Sequence, residues 1–283
     1  MKIRDFQLAN LCKGTNSQRL TRVKMCIKNK EALLNIWLHE EEIAHIHGWN
    51  FSHIRGKYKE EHDLPWDYRK IVEQYLRPEM KLLDMDTGGG EFLLSLNHPY
   101  HNLAATENYL PNVELCKSKL LPLGIDFQKA DSNEILPFGD KSFDIVINRH
   151  GNYNPNEIGR VLKDGGIFIT QQVGAENDSD LVSLLLNDMP DIPFPKQYLT
   201  IVQTAFKDAG FSIIKAEEAF RTIQFWDVGA LVWFAHIIEW EFPNFHVRDC
   251  LENLYHAQEI LEQKGVIEGK THRFLLIAKK LNE

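Results

Sequence analysis

Apolar residues along this chain gather in short unbroken runs, separated by stretches with helical spacing. The runs are Lys81-Leu82-Leu83-Asp84-Met85, His101–Thr106, Ile125–Ala130, Phe143–Asn148, Ile167–Gln171, Phe211–Ala216 and Thr271–Lys280. Runs of this length without polar alternation read as strands covered on both faces. Val113–Leu121, Pro155–Leu162 and Gln197–Ala209 read as helices lying between them. Strand and helix in turn at this spacing predict parallel βαβ units with right-handed crossovers, an α/β, doubly wound architecture.

Two regions depart from that pattern. In the first, residues 1–30 are polar and basic-leaning and predict no element, while Ala32, Leu33, Ile36, Trp37, Ile43 and Ile46 mark one face of a helix over Glu31–His47. Aromatics follow at Trp49, Phe51, Tyr58, Trp66 and Tyr68, and Pro65 opens a helix over Trp66–Leu76 that ends before Pro78. In the second, Arg221–Gly269 separates the last two strands and is too long for a hairpin. It carries Trp226, Trp233 and Trp240 at seven-residue intervals, which predicts one helix face, with Asp227 as its N-cap. The expected organisation is a helical, aromatic N-terminal cap over 1–76, a main domain over 77–220 plus 270–283, and a helical insertion over 221–269.

Composition narrows the partners. Forty acidic against 32 basic residues leave a net charge of −8, the wrong sign for a general grip on nucleic acid phosphates. No apolar signal core stands at Met1-Lys2-Ile3-Arg4-Asp5, and no run is long enough to span a bilayer. Cys12, Cys26, Cys116 and Cys250 are scattered, which suits reduced thiols and a cytoplasmic location. His39, His45, His47, His53 and His62 crowd one region, but they match no carboxylate–histidine metal motif, and no metal is expected.

Chemistry concentrates after the first strand, where Asp86-Thr87-Gly88-Gly89-Gly90 leads into Glu91-Phe92-Leu93-Leu94. A strand, glycine turn and helix let the main chain approach a phosphate or nucleoside closely. Polar residues close the next strands: Glu107, Asp131, and then Asn148-Arg149-His150. Open α/β sheets bind ligands at that edge. Glu107 is placed to accept both hydroxyls of a ribose, since a carboxylate offers acceptors only. Asp131 can accept from an adenine amine. His150 is a candidate base toward a hydroxyl, with Arg149 beside it.

Taken together, Leu82-Leu83-Asp84-Met85-Asp86-Thr87-Gly88-Gly89-Gly90, Glu107, Ala130-Asp131-Ser132, Leu136–Val146 and Val161–Gly166 resemble the class I S-adenosylmethionine-dependent methyltransferases. The resemblance covers roughly residues 70–218 and the terminal strand. It implies a Rossmann-like, seven-stranded sheet, mostly parallel with the last strand antiparallel, and S-adenosyl-L-methionine as cofactor. It implies that Asp84 braces the loop and that Thr87, Gly88 and Gly90 pass the methionine part. Glu107 would take the ribose, Asp131 and Ser132 the adenine, and Asn148 the sulfonium edge, with Asn108 a further candidate cofactor residue. Asp86 stands where the family usually has glycine; it joins the candidate cofactor residues, and its side chain is expected outside direct contact.

A nicotinamide dehydrogenase is the competing enzyme. Its fingerprint needs a small residue where Leu93 stands. A non-catalytic protein that binds the cofactor on the same fold is the alternative of a different class. No Asn/Asp-Pro-Pro-Tyr/Phe follows the fourth strand, so the expected acceptor is a small molecule rather than a nucleic acid base.

Overall fold

The computed structural model describes residues 16–45, 50–60 and 63–282. In chain order the elements are α1 (Asn16–Ile43), β1 (Tyr58–Glu60), α2 (Tyr68–Tyr75), β2 (Leu82–Met85), α3 (Glu91–Ser95), β3 (Leu103–Glu107) and α4 (Leu110–Lys119). There follow β4 (Asp126–Lys129), β5 (Phe143–Arg149), α5 (Pro155–Val161), β6 (Leu162–Val173), α6 (Ser179–Leu185) and α7 (Leu199–Asp208). The last four are β7 (Phe211–Phe225), α8 (Val228–Ile237), α9 (Leu251–Lys264) and β8 (Ile267–Lys280). Two compact units divide the chain. The larger comprises Glu61–Asn177, Ile192–Arg221 and Lys270–Glu283; the smaller comprises Met1–Glu60, Asp178–Asp191 and Thr222–Gly269.

In the larger unit the strand order is β7-β8-β6-β5-β2-β3-β4. β2 pairs in parallel with β3 and β5, β3 with β4, and β5 with β6, while β8 runs antiparallel to β6. Strand order therefore reverses at β2, with β3 and β4 on one side and β5 and β6 on the other. A crevice opens at such a reversal, outside the carboxyl ends of the strands.

Successive strand residues face opposite sides, which explains the unbroken apolar runs. Leu82, Ala105, Ile145, Ile147, Ile169, Leu275 and Ile277 join one buried cluster with Ile71 and Val72 of α2 and Val113 of α4. Their neighbours Leu83, Ala104, Val146, Phe168, Phe274 and Leu276 join the cluster that holds Ile158 of α5 and Phe206 of α7. Phe168 and Phe206 stack with centroids 5.0 Å apart. Asp67 caps α2 by accepting from the Lys70 amide at 3.1 Å.

The smaller unit has its own core, in which Trp37 of α1 and Leu231 and Trp233 of α8 are buried with Phe225 and Phe242. Asp227 does cap α8, accepting from the Ala230 amide at 2.8 Å.

Several expectations need correction. The sheet has eight strands rather than seven, because β1 pairs antiparallel with the far end of β7 through Tyr58↔Phe225 and Glu60↔Ile223. Three residues in a charged stretch carry too little pattern to announce a strand. The three tryptophans do not share a helix face: α8 ends at Ile237, so Trp226 precedes it and Trp240 follows it. Those two are 43% and 40% exposed, and only Trp233 is core. α1 begins well before Glu31 and ends at Ile43. β7 continues past residue 221, and α2 packs in the larger unit. Residues 1–15, His47, Trp49 and His62 lie outside the described residues. His53 meets Glu40 at 2.6 Å, and among the described residues no trio of His, Cys, Asp or Glu could hold a metal.

Candidate functional site

At the reversal, β2 delivers Asp84 into a buried position, where its carboxylate accepts from Thr87 Oγ1 at 2.6 Å. The glycine loop then turns sharply. Asp86, Gly88 and Gly90 all adopt left-handed conformations, with φ of 53°, 65° and 78°. Gly88 and Gly90 take these angles freely, whereas Asp86 is strained there by about 1 kcal/mol. α3, the helix after the loop, is five residues long.

Glu107, at the end of β3, locks this loop. Its Oε2 accepts the Gly88 N–H at 2.9 Å, and its Oε1 accepts the N–H groups of Asn108 and Tyr109, each at 2.9 Å. Asn112 Nδ2 approaches Oε2 at 3.4 Å. A carboxylate offers about four acceptor sites, so all four are taken here, and the long Asn112 contact is the one a ligand hydroxyl would displace. Beyond β4, Asp131 Oδ1 accepts the Asn133 amide at 2.9 Å, and its Oδ2 receives Asn108 Nδ2 at 3.3 Å.

Asp86 is drawn toward the same ring. It accepts from the buried Ser132 hydroxyl at 2.8 Å, and a Cβ on Gly151 would come within 2.4 Å of its Oδ2. Gly151 must therefore lack a side chain if Asp86 is to sit there. Burial, opposed by Ser132 and reinforced by Glu107 and Asp131, raises the Asp86 pKa to about 6. Asp84 is pushed up to about 7, first by burial, against the Thr87 hydroxyl and Arg149, with Asp86 and Glu107 adding to the rise. Both shifts come first from burial, with neighbouring carboxylates adding to it.

Across the reversal, Asn148 is fully buried and internally saturated. Its Nδ2 donates to Met85 O at 3.1 Å and Asn152 O at 3.3 Å, and its Oδ1 accepts from Gln172. Tyr68 donates to the Asn148 carbonyl at 3.2 Å. Arg149 lies over the Phe92 ring, 5.0 Å from its centroid. His150 has φ of 62°, and Gln171 Nε2 stands 3.1 Å from its Nε2. Burial, then Arg273 and Arg149, pushes the His150 pKa down to about 3. The residue keeps an exposed face. Solvent therefore softens the pull of the two guanidinium groups, but the ring stays neutral at neutral pH.

The edge thus gathers Asp84, Asp86, Thr87, Gly88, Gly90, Glu107, Asn108, Asp131 and Ser132 on one side and Asn148, Arg149 and His150 on the other. Tyr68, Trp66, Gln171 and Gln172 were missed. The pair of amides closing an apolar strand was a signal for the glutamines. Trp66 and Tyr68 were masked by their place in an aromatic-rich stretch. Two hollows in the larger unit lie elsewhere, one of about 280 Å³ at the amino ends of the strands beside Lys81, His101 and Asp126, and a shallow one on α7. Neither is lined by the shifted acids or the left-handed loop.

Residues 83–170 match the family model described as a methyltransferase domain. Over 88 residues the chain is 35% identical to the phthiotriol/phenolphthiotriol dimycocerosates methyltransferase of Mycobacterium tuberculosis, covering 29% of this chain and 32% of that protein. The counterpart from Mycobacterium bovis matches to the same extent. The chain therefore aligns with about a third of the length of these curated relatives. A methyltransferase-type protein from Bacillus halodurans C-125 superposes with a TM-score of 0.52 at 17% identity, over 76% of this chain and 99% of that one. The YcgJ protein of Bacillus subtilis gives 0.50 at 19% identity over the same shares. At such identities the two structures speak for the fold alone. A reversal at β2, an antiparallel β8 and a methyltransferase-domain match over residues 83–170 agree with the class I methyltransferase fold.

Proposed function

We propose that the chain is an S-adenosylmethionine-dependent methyltransferase acting on a small molecule. The observation that carries this reading is the acidic ring of Asp84, Asp86, Glu107 and Asp131 around a left-handed glycine loop. Its two raised acids want a cation, and the methionine part of S-adenosylmethionine carries an ammonium and a sulfonium. A Cβ added at Gly88 would meet nothing within 4 Å, so this turn leaves the main chain open to a close-lying ligand.

In this reading Gly88 and Gly90 pass the methionine part, with Asp84 holding the loop through Thr87. Glu107 holds the Gly88 N–H and, where a ribose hydroxyl displaces the long Asn112 contact, accepts from that hydroxyl. Asp131 and Ser132 border the adenine. A cofactor held by these residues would supply an electrophilic methyl, its C–S electrons passing to sulfur, and an O–H or N–H acceptor would lose its proton to solvent. The protein's contribution is alignment, which removes much of the entropic barrier. No described helix is long and apolar enough to cross a membrane.

A strained carboxylate within the loop favours a second reading, binding without catalysis, because Asp86 narrows the approach that glycine would leave. Two measurements separate the readings. Calorimetry with S-adenosylhomocysteine tests binding, and incubation of labelled S-adenosylmethionine with a metabolite extract tests transfer. Binding with label appearing in a small molecule supports the enzyme. Binding without transfer supports the second reading, and no binding removes both.

A further inference from the structure

We propose that the methyl acceptor carries a carboxylate, received at the carboxyl end of β5 by Arg149 and the Nδ1–H of His150; this rests on the methyltransferase reading above. The argument begins at Trp66. An indole nitrogen only donates, and Trp66 Nε1 lies 2.8 Å from Gln171 Oε1. That contact fixes which end of the amide is oxygen. Gln171 Nε2 then faces His150 Nε2 at 3.1 Å, and an amide nitrogen also only donates. His150 Nε2 must therefore hold the lone pair, which puts the ring proton on Nδ1. Among the described residues nothing accepts from that N–H.

Arg149 stands next to it in the chain. Its residue is exposed, and its guanidinium rests over Phe92. Asp84 acts on it through space, but among the described residues no carboxylate lies within ion-pair distance of it. Arg273, the second cation acting on His150, is already engaged with Asn177 and the His272 carbonyl. Arg149 and Nδ1–H thus form a donor-only pair. A guanidinium fork matches a carboxylate in two parallel hydrogen bonds, and the neighbouring N–H suits an anionic oxygen over a neutral carbonyl.

The test uses the full chain, labelled S-adenosylmethionine and a panel of aliphatic and aromatic carboxylic acids, each matched with its primary amide. Label should enter acids and not their amides, with kcat/KM differing about tenfold or more. Arg149→Gln should raise KM for the acids at least about tenfold and erase the preference, and Arg149→Lys should restore part of it. Calorimetry with S-adenosylhomocysteine runs in parallel. If the parent binds it yet methylates no acid, or methylates amides equally well, the carboxylate proposal is overturned while the methyltransferase reading stands. If Arg149→Gln weakens S-adenosylhomocysteine binding but leaves acid preference intact, Arg149 belongs to the acidic ring and the proposal is again overturned. Absence of S-adenosylhomocysteine binding by the parent overturns the reading on which the proposal depends.

Discussion

At the carboxyl ends of β2, β3 and β4 the polar side chains are acceptors: Asp84, Asp86, Glu107 and Asp131. One strand across the reversal, at the ends of β5 and β6, they are Arg149, His150 and Gln171. The two sets share one sheet edge and are fixed by parallel registers such as Met85↔Asn148 and Asn148↔Thr170. Their titrations nevertheless run in opposite directions, with acids pushed up on one side and a histidine pushed down on the other. A parallel sheet accommodates both because each strand end contributes its own short loop, so neighbouring loops can carry unlike charge over a common apolar floor. The difference bears on the proposed roles. The acceptor-rich half suits a cationic cofactor, and the donor-rich half suits what that cofactor meets.

The largest expected effect falls on the acceptor half. Glu107→Ala removes the acceptor for three main-chain N–H groups as well as the Oε2 position, now held by Asn112, that the proposal gives to a ribose. S-adenosylhomocysteine affinity should fall by about 1.5–3 kcal/mol or more in calorimetry. Unchanged affinity would mean that neither the loop lock nor the ribose contact bears on binding.

Asp84 and Asp86 give a second, pH-dependent test. Their folded pKa values, about 7 and about 6, lie above ordinary carboxylate values. Between those ordinary values and the raised ones, the folded protein holds protons that the unfolded chain has released. These two groups therefore make the ligand-free protein less stable as pH rises from about 4 toward 7. A cationic ligand favours the ionised ring, so S-adenosylmethionine should displace protons on binding at pH 6.5, on the order of half a proton per site. S-adenosylhomocysteine, lacking the sulfonium charge, should displace fewer. Calorimetry in buffers of differing ionisation enthalpy measures both. Asp84→Asn should reduce the release; equal release by the two ligands would detach the acids from the sulfonium.

A smaller effect is expected from Gly151→Ala. Its Cβ would approach the Asp86 carboxylate and Asn148 Nδ2 at 2.4 and 2.8 Å, forcing Asp86 from Ser132. Cofactor affinity should change only through that displacement, roughly threefold in either direction, by about 0.5–1 kcal/mol. If Asp86→Gly and Gly151→Ala shift affinity in the same sense, displacement of Asp86 is the common cause. Opposite senses would locate the effect in Gly151's own backbone.

Much of the acceptor half was legible in the sequence, and much of its surroundings was not. Asp84, Glu107 and Asp131 each end or follow an unbroken apolar run, so strand periodicity alone carries them to one edge. Their occupancy was not legible. Nothing in Glu107-Asn108-Tyr109 announces that the carboxylate folds back onto its own following amides and onto Gly88, because that depends on the local turn and not on spacing. Asn148 reads as a ligand residue by position but is saturated by contacts to Met85, Asn152 and Gln172, which only tertiary packing reveals. The smaller unit defeated pattern reading for another reason. Its core draws on three separated segments, Met1–Glu60, Asp178–Asp191 and Thr222–Gly269, so no single window displays the face that is buried. The heptad spacing of Trp226, Trp233 and Trp240 suggested a stripe only because helix ends are invisible to spacing.

The smallest effect belongs to His150 and separates its two roles. A base must take a proton, and its pKa should then lie near the working pH. Here burial and the two guanidinium groups hold the ring neutral, while Gln171 occupies Nε2, the nitrogen with the free lone pair. The sign follows for stability: below the ordinary histidine pKa the unfolded chain binds a proton that the folded ring refuses. His150 therefore costs stability as pH falls below about 6.5, opposite to the acids across the edge. In an NMR titration its ring should show no protonation between pH 5 and 8. Arg149→Gln removes one like charge and should raise the pKa, still leaving it below the unperturbed value because burial and Arg273 remain. Once an acceptor is known, His150→Gln should lower turnover modestly without removing an ionisation from the pH–rate profile. Loss of a limb near pH 6–7 in that variant would restore His150 as the base and dissolve the donor-only character of this half of the edge.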